Sequence, residues 1–440
     1  LDYSEALSYI HSLPRFSDKP GLERLRRLLE QVGNPQDQTK HVHVAGTNGK
    51  GSVTAIVAAI LTAAGYKTGM YTSPHLQHFS ERILVNGRPL DPEDLTRLLE
   101  GLRMLNEHGR LTSGESLIEF EMITALAFMH YASVGCDIVS LEVGLGGRYD
   151  ATNVIKPPLA AAISSIGHDH TEILGSTLAE IAREKAGIIK PGTMVVSAVR
   201  PPEARAVIAE ITAECGATLW QVSAAEDEHA HITWVRTGSS IGGQCFDLEL
   251  PGVAYRGLRL GMLGLHQIEN AACALGVVHA LRQTGRCVPE SAIRDGLARA
   301  SWPGRFEVLS RKPYVIIDGA HNPEGAAALA STYRELFPDR RCVLVMGVLG
   351  DKDVGPVVET LGPLARRVIV TKPNHPTRSL EPERLAQVVR EAGLPADVHV
   401  PASHAIRVGL GALEDSEDVL LITGSLYLIG EARTILRRVE

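Results

Sequence analysis

The run His43-Val44-Ala45-Gly46-Thr47-Asn48-Gly49-Lys50-Gly51-Ser52 carries the residue types needed to hold a phosphate chain. A β-type run over 41–44 breaks into a glycine-rich turn, and the alanine-rich stretch over 53–64 has helical character. Strand, glycine turn and helix start, in that order, aim backbone N–H groups and the positive end of a helix at phosphate oxygens. Gly46, Gly49 and Gly51 allow close backbone approach, with Thr47 and Asn48 completing the loop. Lys50 would meet the β- and γ-phosphates, and Ser52 could reach a bound Mg²⁺. The spacing departs from a strict G-x-x-x-x-G-K-[ST], which would need glycine where Val44 stands and a hydroxyl where Gly51 stands. The expected ligand is ATP.

Other polar residues recur where predicted strands end, the edge of a parallel sheet at which ligands collect. A strand over 67–72 ends in Ser73, one over 137–143 contains Glu142, and one over 159–166 leads to His170. A hydroxyl, a carboxylate and an imidazole suit Mg²⁺ or Mn²⁺ when phosphate oxygens and water complete the octahedron. Each also has a plain reading: Ser-Pro as a turn, Glu before Gly as a cap, His beside Asp as a hydrogen-bonded pair. Lys185 falls near the end of a predicted helix, where an ordinary lysine complements the helix dipole. Asp318, followed by Gly319, ends a later strand and could accept bonds from a ribose or shape a turn. Arg305 offers two parallel bonds to a phosphate or is a surface arginine.

These positions need a scaffold. At 440 residues the chain exceeds the roughly 250–300 residues that one core serves, so two or three domains are expected. Strands alternating with helices indicate an α/β protein with parallel sheets. A helix is expected over 2–33, further helices over 89–105, 119–131 and 177–186, and a small antiparallel insertion over 230–260. Long helices follow over 266–282 and 289–300. Ser301-Trp302-Pro303-Gly304 then marks a boundary between an ATP-binding domain, 1–300, and a smaller doubly wound, Rossmann-like domain, 301–440. In the second domain strands are expected over 314–318, 341–346, 367–371, 396–400 and 418–422. It lacks a G-x-G-x-x-G at its first strand, so it is not a plain dinucleotide site.

A net charge of −7 argues against nucleic acid as a partner, since a phosphate polymer needs a concentrated basic surface. The six cysteines are scattered without a C-x-x-C pair, as expected of reduced thiols in a cytoplasmic protein. No apolar run approaches the roughly 18–20 residues that span a bilayer, so no membrane association is expected.

In family order over nearly the whole chain, several segments resemble the folylpolyglutamate synthase/dihydrofolate synthase family within the Mur ligase superfamily. They are 44–52, Tyr71-Thr72-Ser73-Pro74-His75-Leu76, 142–153, Asp169-His170 and Glu184-Lys185-Ala186-Gly187-Ile188. Further matches are 264–271, Trp302-Pro303-Gly304-Arg305, Asp318-Gly319-Ala320-His321-Asn322-Pro323 and Ile422-Thr423-Gly424-Ser425-Leu426-Tyr427. The resemblance implies an ATP-dependent ligase that phosphorylates a folate or dihydropteroate carboxylate and lets L-glutamate attack the acyl phosphate. It implies Ser73, Glu142 and His170 as Mg²⁺ ligands, and Asn270, Arg305 and Asp318 as ATP contacts beyond the phosphate loop. It implies a carbamylated Lys185, overriding the dipole reading. Phe120, Glu121, Tyr149, Asp150 and Ala151 match segments lining a pterin pocket, as does Gly21-Leu22-Glu23-Arg24. His321 and Ser425 match positions facing glutamate, and Lys50, Lys185, His170 and His321 are the expected catalytic set. The family's frequent threonine two residues before Phe120-Glu121 is replaced by Ile118. A monomer is implied. Competing readings are a ligase of peptidoglycan precursors and a nucleotide-binding switch, neither of which accounts for the Phe120-Glu121 and Ser425 segments together.

Overall fold

The central strand, Lys40–Ala45, is buried along all but its first residue, which is the mark of an inner strand of a parallel sheet covered on both faces. It lies between Ile138–Glu142 and Ala160–Ile163, both parallel to it, in a register that aligns Val44 with Glu142 and with Ala162. The computed structural model describes residues 1–15, 21–107, 117–227, 229–350, 353–375 and 377–437. These divide into two compact units. The first comprises Leu1–Thr237, Cys245–Gly261 and Ile268–Ser301; the second comprises Gly238–Gln244, Met262–Gln267 and Trp302–Glu440. Two stretches upstream of the Trp302-Pro303-Gly304 punctuation thus belong to the second unit.

The large sheet has eleven strands. From the centre it runs outward through Ile138–Glu142 and Thr68–Tyr71 on one side, and through Ala160–Ile163, Met194–Ser197 and Thr218–Ala224 on the other. The expected insertion over 230–260 is not a separate body. Its strands Ile232–Ser240, Gly243–Leu250 and Val253–Leu260 extend the same sheet, joined by two-residue turns that permit antiparallel hairpins.

The helix Lys50–Ala63 follows the central strand and buries ten of its residues. Its sequence is apolar all round, as expected of a helix enclosed on every side. The helix Glu290–Arg299 crosses it at Gly296, where an added Cβ would stand 2.5 Å from Ile60 Cα, so only glycine permits the approach. Leu25, Leu28, Tyr71, Leu126 and Phe128 share one core; Ile163, Ile181, Val195 and Ile208 build another. Fully burying each such side chain contributes about 1.5–3 kcal/mol.

The helix expected over 2–33 is two helices, Tyr3–Ser12 and Glu23–Gln31. Leu13 takes an extended conformation at the end of the first, because the residue before Pro14 is pushed out of helical space.

The second unit carries a six-stranded sheet in the order Glu307–Arg311, Tyr314–Asp318, Val419–Thr423, Cys342–Met346, Ala365–Val370, Ala396–Val398. All pairings are parallel except that of Glu307–Arg311 with Tyr314–Asp318. The α/β expectation therefore holds in both sheets, with an antiparallel edge strand that alternation alone did not reveal.

Candidate functional site

The phosphate loop leaves the central strand at Gly46 and enters the helix at Lys50. Gly46 (φ 149°) admits no side chain, since a Cβ would lie 2.0 Å from Ser164 Oγ. Ser164 and Ser165, which follow the Ala160–Ile163 strand, both donate to Asn48 O, at 2.7 and 3.0 Å. Thr47 N donates to Ser165 O (2.7 Å) and Asn48 N to Ser165 Oγ (3.0 Å), while Thr47 Oγ1 donates to Gly167 O (3.2 Å). The backbone N–H groups of Thr47 and Asn48, expected to face phosphate, are therefore engaged in bracing the loop. Those opening the helix belong to Lys50, Gly51 and Ser52, ahead of the first intrahelical bond from Val53 N to Gly49 O, and such N–H groups suit an anion. Gly49 (φ 85°) caps this helix, and a Cβ on it would lie 2.3 Å from Asn270 Oδ1, so Asn270 adjoins the loop. Lys50 Nζ donates to Gly46 O and Thr47 O, each at 3.1 Å.

Beside this loop stands a second amine. Lys185 ends the helix Leu178–Lys185 but is buried rather than solvated, and its Nζ donates to Gly46 O at 2.9 Å. Burial first, then the positive charge of Lys50, brings its pKa down to about 7, with Asp169 and Asp150 opposing. The helix-dipole reading does not describe this residue: a large share of its amine is neutral near neutral pH. The folded-state value lies below the ordinary 10.5, so the unfolded chain binds more protons in the interval between. Stability contributed by this group rises with pH from about 7 towards 10.5 and is lost as pH falls through that window. In CO₂-depleted buffer, Lys185→Met should flatten this rise, read as the pH dependence of the difference in Tm between native and variant. An unchanged pH dependence would show that the amine titrates normally.

Glu142 closes its strand almost fully buried, and Ser73 N donates to its Oε2 at 3.2 Å. The structure thus brings Ser73 and Glu142 together as hard oxygen donors, the type that Mg²⁺ takes alongside phosphate oxygens. His170 has a left-handed backbone (φ 52°) and a half-exposed side chain whose Nε2 lies 3.9 Å from Asp169 Oδ2. Among the described residues no three His, Cys, Asp or Glu side chains form a metal-holding group.

Two residues expected to line a pterin pocket are committed to the protein itself. Glu121 accepts both arms of buried Arg24, at 3.0 and 3.3 Å, and also Ile118 N at 3.0 Å. The resemblance put Arg24 and Glu121 on the same pocket, and the structure pairs them with each other. Asp150 accepts Gly144 N, Leu145 N and Thr152 N at 2.9–3.0 Å, plus Thr152 Oγ1. It therefore ties the 144–152 loop together. Burial pushes its carboxyl pKa up, and these bonds oppose the shift. Thr152 Oγ1 also meets His43 Nε2 at 2.8 Å, and burial holds His43 well below the ordinary imidazole value. Phe120 packs at the loop start, where a Cβ on Gly144 would stand 2.5 Å from its Cζ, and its ring is tilted against Tyr71. Ala151 is buried and Tyr149 is 55% exposed, so of this set Tyr149 presents the most surface to a ligand.

In the second unit, the Tyr314–Asp318 and Val419–Thr423 strands pair in parallel, aligning Asp318 with Thr423. Asp318 is buried; it accepts Phe306 N at 2.7 Å and Ala320 N at 2.8 Å. Burial raises its pKa, opposed first by the positive charge of Arg305. Phe306 is held left-handed (φ 41°) by that bond, a conformation costing a non-glycine residue about 1–3 kcal/mol. The strain sits directly after Arg305, whose Nη1 would lie 2.3 Å from a Cβ on Gly319. His321 Nδ1 meets Gly319 O at 2.8 Å, which places a hydrogen on Nδ1. Ser425 is buried and caps the helix Leu426–Leu436, accepting Leu428 N at 3.1 Å. Its oxygen is thus engaged with the helix, and its hydroxyl hydrogen remains a possible donor to a ligand.

Sequence reasoning missed Ser164 and Ser165. The signal was present, since a serine pair directly follows an all-apolar strand, the same placement that drew attention to Ser73.

Two family models match the chain: Mur ligase middle domain over residues 44–278 and Mur ligase, glutamate ligase domain over 304–426. It is 37% identical over 438 residues to the dihydrofolate synthase/folylpolyglutamate synthase of Bacillus subtilis strain 168, covering 99% of each chain. The crystal structure of Mycobacterium tuberculosis folylpolyglutamate synthase complexed with ADP and AMPPCP matches with a TM-score of 0.89 and 35% identity, over 99% of both chains. An FPGS–AMPPCP–folate complex matches with a TM-score of 0.85 and 32% identity, over 99% of this chain and 100% of that one.

Proposed function

Because the chain belongs to the folylpolyglutamate synthase/dihydrofolate synthase family of Mur ligases, we propose that it joins L-glutamate to a folate or dihydropteroate carboxylate at the expense of ATP. The observation that carries this reading is the phosphate loop with two lysine amines, Lys50 and Lys185, on the same carbonyl of Gly46. A carboxylate does not form an amide unaided, because its oxygen is a poor leaving group. Transfer of the γ-phosphoryl group makes an acyl phosphate and ADP; the glutamate amine then attacks the acyl carbon and phosphate departs.

The chain's own groups serve that sequence in distinct ways. The helix-start N–H groups and Lys50 would hold the triphosphate and offset the repulsion of two anions brought together. Asn270, Arg305 and Asp318 are assigned to the nucleotide, and His321 and Ser425 to glutamate. Phe120 and Tyr149 supply aromatic surface for a pterin ring, while Glu121, Asp150 and Ala151 shape that wall from behind. Ser73 and Glu142, with His170 as a further donor, would hold Mg²⁺, which neutralises charge on the transferring phosphoryl group when bound. Lys185, neutral in large part near pH 7, is suited to react with CO₂ and become an anionic carbamate. We assign the protein to the cytoplasm as a monomer; among the described residues no helix is long and apolar enough to cross a membrane.

The test is direct. Incubation with ATP, Mg²⁺, L-glutamate and either dihydropteroate or tetrahydrofolate should release ADP and add one or more glutamate masses to the acceptor. ADP release that is indifferent to glutamate and to both acceptors would overturn the assignment.

A further inference from the structure

Lys185 reaches the phosphate loop through its amine, but its backbone is set by a different set of contacts. Gly147 lies against it so closely that a Cβ there would stand 2.8 Å from Lys185 O and 2.9 Å from Glu184 O. Two residues beyond Lys185, a Cβ on Gly187 would stand 2.4 Å from Arg148 Cα. Arg148 N donates to Glu184 O at 2.9 Å. The segments 147–148 and 184–187 therefore interlock, backbone against backbone, and a shift in either moves the lysine.

One side chain bridges both. Asn153 Nδ2 donates to Arg148 O at 3.1 Å and to Gly187 O at 3.0 Å. The reverse orientation of the amide would aim its oxygen at two carbonyls, so this arrangement is the one its partners dictate. The Asn153 backbone is itself anchored, because Lys190 Nζ donates to Asn153 O at 3.0 Å and also to Ile155 O. Asn153 Oδ1 is buried and accepts no bond from the described residues, a cost the chain tolerates while both Nδ2 hydrogens are used.

We propose that Asn153 is a positioning residue for Lys185, clamping the 147–148 and 184–187 segments so that the amine is held beside Gly46 where CO₂ adds to it. This rests on the reading of Lys185 as the carbamylated residue. In that step the nitrogen lone pair forms a bond to the carbon of CO₂. One C–O π pair moves onto oxygen and a proton leaves nitrogen for solvent, giving an anionic carbamate. Without the clamp the helix end is held only by the Arg148 N–Glu184 O bond and the two glycine contacts, the amine leaves its buried place beside Gly46 more readily, and the proton competes with CO₂.

The experiment titrates native protein and Asn153→Ala with ¹³C-bicarbonate, reading the carbamate carbon by ¹³C NMR and ligation kinetics in parallel. The variant should need about tenfold more CO₂ for half-carbamylation, the scale on which supporting partners act. Its kcat should recover at saturating CO₂, and its KM for glutamate should stay near the native value. A purely structural role would lower Tm without moving the CO₂ midpoint. Equal midpoints in the two proteins overturn the positioning role alone. Absence of the carbamate signal from native protein overturns the reading of Lys185 and this role with it. If Asn153→Ala does not fold, judged by circular dichroism, Asn153→Ser carries the same comparison with one donor kept and a smaller displacement expected.

Discussion

Lys50→Ala should lower ATP-dependent glutamate ligation by about a thousandfold or more, the scale for removing a cation from a transferring phosphoryl group, while Tm barely changes. The two halves of that expectation have separate physical grounds. Among the described residues Lys50 Nζ bonds to carbonyls of its own loop, Gly46 O and Thr47 O, and Gly46 O keeps the Lys185 amine as a partner when Lys50 is removed. Lys50 is the first residue of the Lys50–Ala63 helix, where a positive charge opposes the helix dipole, so the helix loses no dipole stabilisation by the change. The Ser164 and Ser165 bonds to the loop remain when the lysine is removed. What disappears is the positive charge that the transferring oxygens would meet. A second consequence sharpens the test: Lys50 is one cause of the lowered Lys185 pKa, so the variant's Lys185 should hold its proton to higher pH and take up less CO₂. Turnover within a few-fold of native, at any CO₂ level, would remove Lys50 from the reaction.

Why some of this was legible in sequence and some was not follows from the range of the interactions. Ser73, Glu142 and Asp318 stand out because each ends an apolar strand, and a parallel sheet exposes such ends by its geometry. The strand and helix flanking the phosphate loop are likewise local patterns. The Arg24–Glu121 pair spans 97 residues of separation, and no periodicity links the two, so each was legible only as a family match and neither as the other's partner. Asp150 shows the same ambiguity from a different cause. A carboxylate that binds ligand and one that collects loop N–H groups are chemically alike, and only the fold of 144–152 decides between them. His43 alternates with valines as an outward-facing residue would, yet the sheet is covered on both faces and the imidazole is buried and neutral. The strands Met194–Ser197 and Thr218–Ala224 and the helix between them, Pro202–Glu214, were passed over, although Pro202 in the helix's first turn marks its start. The most consequential omission was lysine burial: a terminal helix lysine reads as solvated until the packing around Gly147 and Gly187 is known.

Glu142→Ala should reduce turnover by a similar factor of about a thousand and, unlike Lys50→Ala, should do so by abolishing the response to Mg²⁺. The carboxylate is 4% exposed, and its Oε2 accepts Ser73 N at 3.2 Å, a bond made by the backbone and not by the Ser73 side chain. Ser73→Ala therefore leaves Glu142 in place and removes one neutral oxygen donor, and its effect should be smaller than that of Glu142→Ala. Glu142→Gln separates shape from charge. The amide oxygen can still accept Ser73 N, which preserves the local geometry, but a neutral oxygen holds a divalent cation far less tightly than a carboxylate does. Calorimetric titration of ADP with and without Mg²⁺ gives the decisive readout. Native protein should bind ADP more tightly in the presence of Mg²⁺, whereas Glu142→Ala and Glu142→Gln should bind it with an affinity that Mg²⁺ hardly alters. A Glu142→Gln protein that keeps both its Mg²⁺-dependent gain in ADP affinity and near-native ligation would mean that the carboxylate only anchors the Ser73 backbone. The cation would then have to be held by other groups, His170 first among them.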